Sequence, residues 1–361
     1  MTSRERMLAV VNGGPIDRLP VEIHFIDESV RAHYAEMLGM TPGQLSDYLE
    51  NDMRYLYTMD EVGCYMQEPD LIAKGVEYGF ATPDPEIPMA YTDGFGIKWD
   101  AGSSGQRPLS HGHDWDFLRA FRMPDPDRPG MFYDFDKHVD EFRAKDVAYV
   151  ALQYYGPLEK YENMRGFENA MMDFYEEPDL AEELLDRIAD YRETLAHRIV
   201  EKGVVFGHGG DDYGTQRGPM ISLEIFREFI KPRLARIYKV YKDAGLPMLH
   251  HSCGDCSEFI DDLIEIGVDC LHPIQASAMD IHRLYERYGD RIVYYGGFDT
   301  HSFLNNSEPE KIRAMVKDAI ETLGRNGRMV CAAINLTNEV PADNFKALLE
   351  AIKEYRYLYS R

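Results

Sequence analysis

Two residues that commonly bind metals stand two positions apart, directly after an apolar segment of the chain. The apolar segment is 246–249, and it leads to His251, Ser252 and Cys253. Because residues i and i+2 of an extended chain point to the same side, we expect the imidazole of His251 and the thiol of Cys253 to converge. Zinc accepts nitrogen at about 2.0 Å and sulfur at about 2.3 Å. The spacing therefore predicts part of a zinc site, which needs at least one more ligand.

The natural source of a third ligand is the end of another strand. Cys331 follows the apolar residues 329–330, and its thiol would meet His251 and Cys253 if the strands end at the same edge. The alternative is a buried core thiol, an environment where free cysteine is common. Cys256 forms a C-x-x-C spacing with Cys253, but without a thioredoxin-like context this spacing favours redox chemistry only weakly.

Carboxylates follow two further strand-like segments. Asp211 and Asp212 come after a glycine-rich stretch that we interpret as a turn, and Asp299 comes after Gly296 and Gly297. Glycines allow the backbone to approach a ligand closely. A carboxylate at these positions could complete a metal site or move a proton, and the alternatives are a helix cap or a solvated loop. The predicted catalytic residues are Asp211, Asp212 and Asp299.

The elements that would position these residues alternate between strand and helix. Strand-like segments are separated by helical patterns of about 10 to 15 residues, which is typical of parallel βαβ units. The predicted strands are 19–25, 147–153, 204–207, 246–249, 268–272, 292–296 and 329–333. This number favours a (β/α)₈ TIM barrel over an open sheet. Because barrel active sites lie at the C-terminal ends of the strands, the polar residues that follow the strands are expected to face one mouth.

The region from about residue 27 to residue 143 lacks this regular alternation. It is rich in glycine and proline, and we interpret it as an N-terminal insertion of helices and loops with a short hairpin near residues 89–99. No linker-like composition marks a boundary. We therefore predict a single TIM-barrel catalytic domain over residues 1–361.

Composition and charge restrict the partners of the protein. Hydrophobic residues make up 44% of the chain, charged residues make up 28%, and the formal net charge is −24. Such a charge repels nucleic acid and anionic membrane surfaces, so we expect neither as a partner. The first 20 residues do not resemble a signal peptide or a membrane span. Five cysteines without a secretory signal favour free thiols, and we expect a cytoplasmic protein.

Several stretches of the chain resemble the uroporphyrinogen decarboxylase superfamily. They cover most of the chain, and together they are specific. The stretches are 4–6 with 15–20, 211–219 followed by 222–224 and 229–233, 251–254, and 296–300. The resemblance implies a (β/α)₈ barrel, in agreement with the alternation of strands and helices.

Within this superfamily, the chain is most similar to the cobalamin-dependent methyltransferases. In these relatives, a His-x-Cys pair with a distant cysteine binds zinc, and methyl groups move to or from a corrinoid protein. The resemblance therefore implies a zinc ion held by His251, Cys253 and Cys331. The predicted substrate-binding residues are Tyr213, Gln216 and Gln275.

The distal zinc ligand departs from the family pattern. When the chain is aligned on Val340 and Pro341, the family's ligand position falls at Ile334, three residues beyond Cys331. Two alternatives follow. Either a local shift restores Cys331, or an acid such as Asp212 replaces it, because zinc also accepts carboxylate oxygen.

The resemblance implies an O-demethylase type of reaction with a methoxylated small molecule, aromatic compounds included, as methyl donor. Zinc would act as a Lewis acid while a reduced corrinoid takes the methyl group. The chain lacks the Asp-x-His-x-x-Gly sequence of corrinoid carriers, so we expect the cobalamin to be bound by a separate corrinoid protein that docks at the barrel mouth.

Three alternatives remain. The first is methyl transfer from a methylcorrinoid to a thiol or to tetrahydrofolate, and the second is a metal-free decarboxylase. In decarboxylases an arginine-rich segment follows the first strand, whereas here Asp27 and Glu28 occupy that place and would repel substrate carboxylates. The third is a non-catalytic corrinoid-binding protein.

Overall fold

Parallel strands form the centre of the molecule. The computed structural model describes residues 1–26, 28–61, 69–100, 108–109, 112–153, 155–300 and 303–360, so Asp27 and Cys64 lie outside the described residues. Within these residues, eight central strands follow one another along the chain. They are β1 (Val21–Phe25), β2 (Met53–Tyr57), β3 (Ala148–Leu152), β4 (Gly207–Gly210), β5 (Met248–His251), β6 (Cys270–Ile274), β7 (Val293–Gly296) and β8 (Met329–Leu336).

The eight strands close into a barrel. Six of them form a hydrogen-bonded sheet in the order β1, β8, β7, β6, β5, β4, and β2 pairs with β3. All of these pairs are parallel. Backbone hydrogen bonds bridge the two remaining seams, from Asp52 N to Val21 O at 2.8 Å and from Val205 N to Tyr149 O at 3.0 Å. The predicted (β/α)₈ TIM barrel is therefore confirmed.

Helices surround this barrel. The helix that precedes β5 contains a π turn at Phe226–Ile230, where Lys231 N donates to Phe226 O. The turn ends two residues before Pro232, which has no N–H to offer to the usual i−4 carbonyl. The helices are Ser3–Asn12, Glu28–Met37, Pro42–Leu49, Pro69–Glu77, Trp115–Ala120, Tyr133–Ala144, Pro157–Arg165, Phe167–Glu176, Pro178–Glu201, Leu223–Ile225 continuing into Lys231–Asp243, Ile260–Glu265, Ile281–Tyr288, Phe303–Asn306, Pro309–Leu323 and Ala342–Tyr355.

The irregular early region holds one barrel strand that the sequence did not reveal. Strand β2 carries an arginine and two tyrosines in five residues, so it lacks the apolar pattern of a buried strand. The hydroxyl of Tyr55 donates to Glu22 at 2.9 Å, and the amide of Tyr57 donates to Asp134 at 2.9 Å. A three-stranded antiparallel sheet follows, formed by Ala81–Pro83, Ala90–Asp93 and Lys98–Asp100, and it contains the predicted hairpin.

Strand β4 begins three residues later than predicted. It consists of Gly207, His208, Gly209 and Gly210, so the stretch that we interpreted as a turn is itself the strand. Asp211 and Asp212 therefore follow the end of a strand directly. Among the described residues, no helix is both long enough and apolar enough to span a membrane.

Candidate metal centre

Three donor atoms of different chemistry lie together at the C-terminal end of the barrel. They belong to Asp212, His251 and Cys253, which we call the mouth cluster, and they lie within 4.8 Å of one another. Nε2 of His251 is 3.4 Å from Sγ of Cys253 and 3.6 Å from Oδ1 of Asp212. Tetrahedral zinc with bonds of about 2.0 to 2.3 Å implies donor separations of about 3.3 to 3.7 Å. These two separations fit a zinc ion.

Glycines in β4 hold this part of the barrel close to its outer helix. A Cβ atom on Gly207 would lie 2.5 Å from the ring of Tyr241, and one on Gly209 would lie 2.7 Å from the ring of Tyr238. Both tyrosines belong to the helix before β5, so the outer face of β4 has no room for side chains. This close packing fixes the strand end from which Asp212 extends.

The loop that carries Cys253 is held from two sides. The amide of Cys253 donates to Oδ1 of Asp212 at 2.6 Å, and the amide of Gly254 donates to Oε1 of Gln275 at 2.9 Å. Gly254 has a φ angle of +73°, and a Cβ atom there would lie 2.6 Å from the backbone of Gly214. Glycine is therefore required directly after the thiol, where the chain turns in the left-handed region against another loop.

Burial keeps two of the three donors neutral in the absence of a metal. It lowers the pKa of His251 to about 3, with a smaller contribution from His24. Nδ1 of His251 lies 2.8 Å from Nδ1 of His272, so Nε2 is the nitrogen that faces the cluster. Burial also raises the pKa of the Cys253 thiol well above its ordinary value, and the charge of Asp212 adds to this effect. A bound cation would favour the thiolate, as zinc binding requires.

Asp211 has a structural role at the first turn of the helix Pro157–Arg165. Its two carboxylate oxygens accept hydrogen bonds from the amides of Leu158 at 3.1 Å and Glu159 at 2.9 Å. The helix has Gly156 at its N-cap, and a Cβ atom there would lie 2.5 Å from Cγ of Asp211. Asp211 therefore caps this helix in place of the side chain that Gly156 lacks. This is the helix-cap alternative that the sequence left open beside a catalytic role.

Two acids that the sequence analysis missed join this region. Burial, followed by the charges of Asp212 and Asp211, raises the pKa of Glu159 well above its ordinary value. Burial and the charges of the same two aspartates also raise the pKa of Glu162 well above its ordinary value. The available signal was their spacing. Glu159 and Glu162 stand at i and i+3 near the start of a helix that directly follows a barrel strand, so both face the same mouth.

The expectation that Cys331 closes the metal site requires correction. Cys331 pairs with Val21, the first residue of β1, and its amide donates to the carbonyl of Pro20 at 2.8 Å. It precedes Leu336, the last residue of its strand, by five positions, and about 3.3 Å per residue puts it roughly 16 Å along the strand from that end. Ile334, at the family's ligand position, lines an internal cavity and has no donor atom in its side chain. Of the two alternatives, the geometry favours Asp212.

The remaining predicted residues lie at different depths. Tyr213 is fully buried and donates its hydroxyl to Asp211 at 3.2 Å, and its role in substrate binding stays a prediction. Gln216 is exposed and donates to Oε1 of Gln275 at 2.9 Å, which links it to the loop of the mouth cluster. Asp299 follows β7, is half-buried and lies outside the three-donor group.

Comparisons with known proteins agree with this architecture. The model of the family "Uroporphyrinogen decarboxylase (URO-D)" matches residues 109–355. A solved methyltransferase from Methanosarcina mazei superimposes with a TM-score of 0.68, covering 98% of this chain and 99% of that chain at 20% identity. At that identity the similarity shows the fold alone.

Two curated relatives match parts of the chain. A uroporphyrinogen decarboxylase from Methylococcus capsulatus is 25% identical over 202 residues, which are 55% of this chain and 55% of that protein. A methylated-thiol–coenzyme M methyltransferase from Methanosarcina mazei is 24% identical over 135 residues, which are 37% of this chain and 34% of that protein. The chain therefore spans about half or less of the length of these relatives.

Proposed function

The chain belongs to the uroporphyrinogen decarboxylase family, and we propose that it is a zinc-dependent methyltransferase. In this proposal, a methyl group moves between a small methylated compound and the cobalamin of a separate corrinoid protein that docks at the barrel mouth. The observation that carries the proposal is the convergence of an oxygen, a nitrogen and a sulfur donor from Asp212, His251 and Cys253. Three protein ligands leave a fourth position for a substrate, which is typical of catalytic zinc sites.

The residues of the mouth cluster have distinct tasks. Asp212, His251 and Cys253 would hold the metal, and bound zinc would supply a Lewis acid for the heteroatom that carries the methyl group. His272 orients the imidazole of His251 through the contact between their Nδ1 atoms. The amide of Cys253 orients the carboxylate of Asp212. Such outer contacts fix the direction of metal ligands and tune their basicity.

The charge around the mouth cluster argues against a decarboxylase of a polycarboxylate. Apart from the effect of burial, the charges of Asp211 and Asp212 raise the pKa values of Glu159 and Glu162, and the charge of Asp212 raises the pKa of Asp211. A substrate with several carboxylates would add like charges to this region, and like charges at short range in a poorly solvated site repel strongly. An uncharged methyl donor avoids this repulsion, so a methoxylated compound, aromatic compounds included, remains our preferred substrate.

Methyl transfer from a methoxylated donor has a simple balance. The bond between the methyl carbon and oxygen breaks, and its electron pair remains on oxygen, which takes up a proton. The reduced corrinoid of the partner protein, as the methyl acceptor, would supply the electron pair for the new bond to the methyl carbon. A methylated thiol is the second candidate donor, because one relative is named as a methylated-thiol–coenzyme M methyltransferase.

Elemental metal analysis of the purified protein tests the ligand set first. We expect about one zinc per chain in the wild type and in Cys331→Ala, and less than about 0.1 zinc per chain in Cys253→Ala and Asp212→Ala. Cys331→Ala is the matched control, since it removes a thiol that lies far from the cluster. A wild type without metal after zinc supplementation would refute the proposal. Zinc lost in Cys331→Ala but retained in Asp212→Ala would restore the predicted cysteine ligand.

A methyl-transfer assay then distinguishes the donors. Zinc-loaded protein is mixed with cob(I)alamin and either a methoxyarene or a methyl thioether, and the conversion of cob(I)alamin to methylcobalamin is followed by absorbance. We expect turnover with the methoxyarene and its loss in Cys253→Ala. Turnover with the thioether alone would favour the second candidate. No methyl transfer from either donor would count against a methyltransferase.

A further inference from the structure

We propose that Glu22, acting through His272 and one water molecule, positions the metal ligand His251 from inside the barrel. This inference rests on the proposed zinc site. It concerns a cavity of about 10 Å³ inside the barrel, which is lined by Glu22, His24, Tyr55, Leu152, His272 and Ile334. A cavity of about this size holds one water molecule when two or more polar groups line it.

The hydrogen-bond pattern of His251 determines what His272 must do. Nε2 of His251 faces Cys253 and Asp212, so a metal bound by the cluster would use this nitrogen. Its Nδ1 then carries the hydrogen and donates to Nδ1 of His272, 2.8 Å away. A neutral imidazole that accepts at one nitrogen carries its hydrogen on the other. Metal binding therefore requires His272 to present an N–H at Nε2.

That Nε2 atom has no direct partner in the part of the chain that the structure describes. His272 is buried, with 2% of its surface exposed, and its Nε2 makes no hydrogen bond to a described residue. A buried donor without a partner is unfavourable, because it has lost its hydrogen bonds to water. The cavity supplies the missing connection, because His272 and Glu22 both line it and a water there could accept from His272 and donate to Glu22.

Glu22 is itself held in place as an acceptor. The hydroxyls of Tyr55 and Tyr295 both donate to Oε2 of Glu22, the former at 2.9 Å. The ring of Tyr295 packs edge-on against His272, with centroids 4.9 Å apart. The carboxyl group is thus fixed beside His272 and is buried, with 2% of its surface exposed.

Packing alone does not explain these side chains. The interior of a TIM barrel is usually filled by layers of branched apolar residues. Here Glu22 and His272 are buried and Tyr55 is half-buried beside them, although apolar residues of similar volume would fill the same space without unsatisfied polar atoms. A buried polar group of this kind is expected to have a role, and a carboxylate–water–imidazole chain that ends on a metal ligand provides one.

A double-mutant cycle tests this chain. Zinc affinity is measured by chelator competition for the wild type, Glu22→Gln, His272→Phe and the double variant. We expect each single variant to weaken zinc binding about 10- to 100-fold, and the double variant to match His272→Phe, because Glu22 acts only through His272. Multiplicative effects, or an unchanged affinity in Glu22→Gln, would overturn the inference.

Two further readouts separate positioning from damage to the fold. The d–d absorption bands of the cobalt(II)-substituted protein report ligand geometry, and we expect them to shift in Glu22→Gln. Ile334→Val alters the same cavity without touching a hydrogen bond, and we expect its affinity and its spectrum to match the wild type. A Glu22→Gln spectrum identical to the wild type would contradict positioning. A wild type that binds neither zinc nor cobalt would refute the proposed function itself. A wild type that binds zinc, with no change of affinity in Glu22→Gln, would refute only the role of Glu22.

Discussion

The two ends of the barrel both carry buried polar clusters, but the clusters are built in opposite ways. At the base, the carboxylate of Asp52 accepts from Arg6 at 2.5 Å, from Arg18 at 2.7 Å and from the amide of Val21 at 2.9 Å. We call Asp52, Arg6 and Arg18 the base cluster. At the mouth, the acids lie beside other acids, and the donor atoms of the mouth cluster converge on a common point.

The difference separates a cluster that stabilises the fold from one that is prepared for a ligand. In the base cluster, each charge already has a partner of opposite sign, so folding itself satisfies the site. At the mouth, buried acids lie beside one another and beside the two neutral donors of the mouth cluster, which disfavours the folded state until a cation binds. Substitutions in the base cluster should therefore change the free energy of unfolding without changing the metal content. Added metal should change the free energy of unfolding only when the mouth cluster is intact.

The largest effect is expected from breaking the base cluster. Asp52→Asn keeps the shape of the side chain but removes the carboxylate that pairs with Arg18 and one of the two that pair with Arg6, whose other partner is Asp17. Removal of one partner from a buried ion pair typically costs about 3 to 5 kcal/mol of unfolding free energy. We expect a loss of this size in urea denaturation of the metal-free protein, with about one zinc per chain still bound at native conditions. Zinc loss in folded Asp52→Asn would show that the two ends are coupled.

A smaller effect is expected from loading the mouth cluster with metal. A ligand that binds only the folded state stabilises it by about 2.7 kcal/mol when its free concentration is 100 times its dissociation constant. We expect zinc to stabilise the wild type by this amount and to leave the unfolding midpoint of Asp212→Ala unchanged at the same concentration. Equal stabilisation of both proteins would mean that zinc binds elsewhere on the chain.

The sequence predicts the barrel well because most of its strands are apolar and are separated by helices. It misses β2, where tyrosines replace the usual aliphatic residues, and it places β4 three residues early. In β4 the glycines are required by Tyr238 and Tyr241 on the outer helix. Contacts of this kind join residues far apart in the chain, so a local pattern cannot reveal that a glycine-rich segment is a strand.

The sequence also identifies His251 and Cys253, because the period of an extended chain places neighbouring ligands on one side. It does not reveal which third residue meets them, since that depends on the depth of each strand in the barrel. The polar interior was detectable in part. Glu22 and His24 stand at i and i+2 in an otherwise apolar strand, so both side chains face the same side. Their connection to His272 depends on the closed barrel.

The smallest effect is expected at Cys331, for which a role as a zinc ligand at the mouth and a place in the core at the base give opposite predictions. If the thiol were a zinc ligand, its removal would abolish metal binding. In the structure Cys331 is buried at the base beside Val21, where burial raises its pKa to about 12, against the opposing charges of Arg356 and Arg18. Cys331→Ala therefore removes a neutral, sulfur-sized group from a packed core, at a cost of about 1 kcal/mol of unfolding free energy.

We expect the zinc affinity of Cys331→Ala to stay within about twofold of the wild type, because the base does not contribute donors to the mouth cluster. Chelator competition together with urea denaturation measures both quantities on the same sample, and a tenfold loss of affinity with unchanged stability would reverse the assignment.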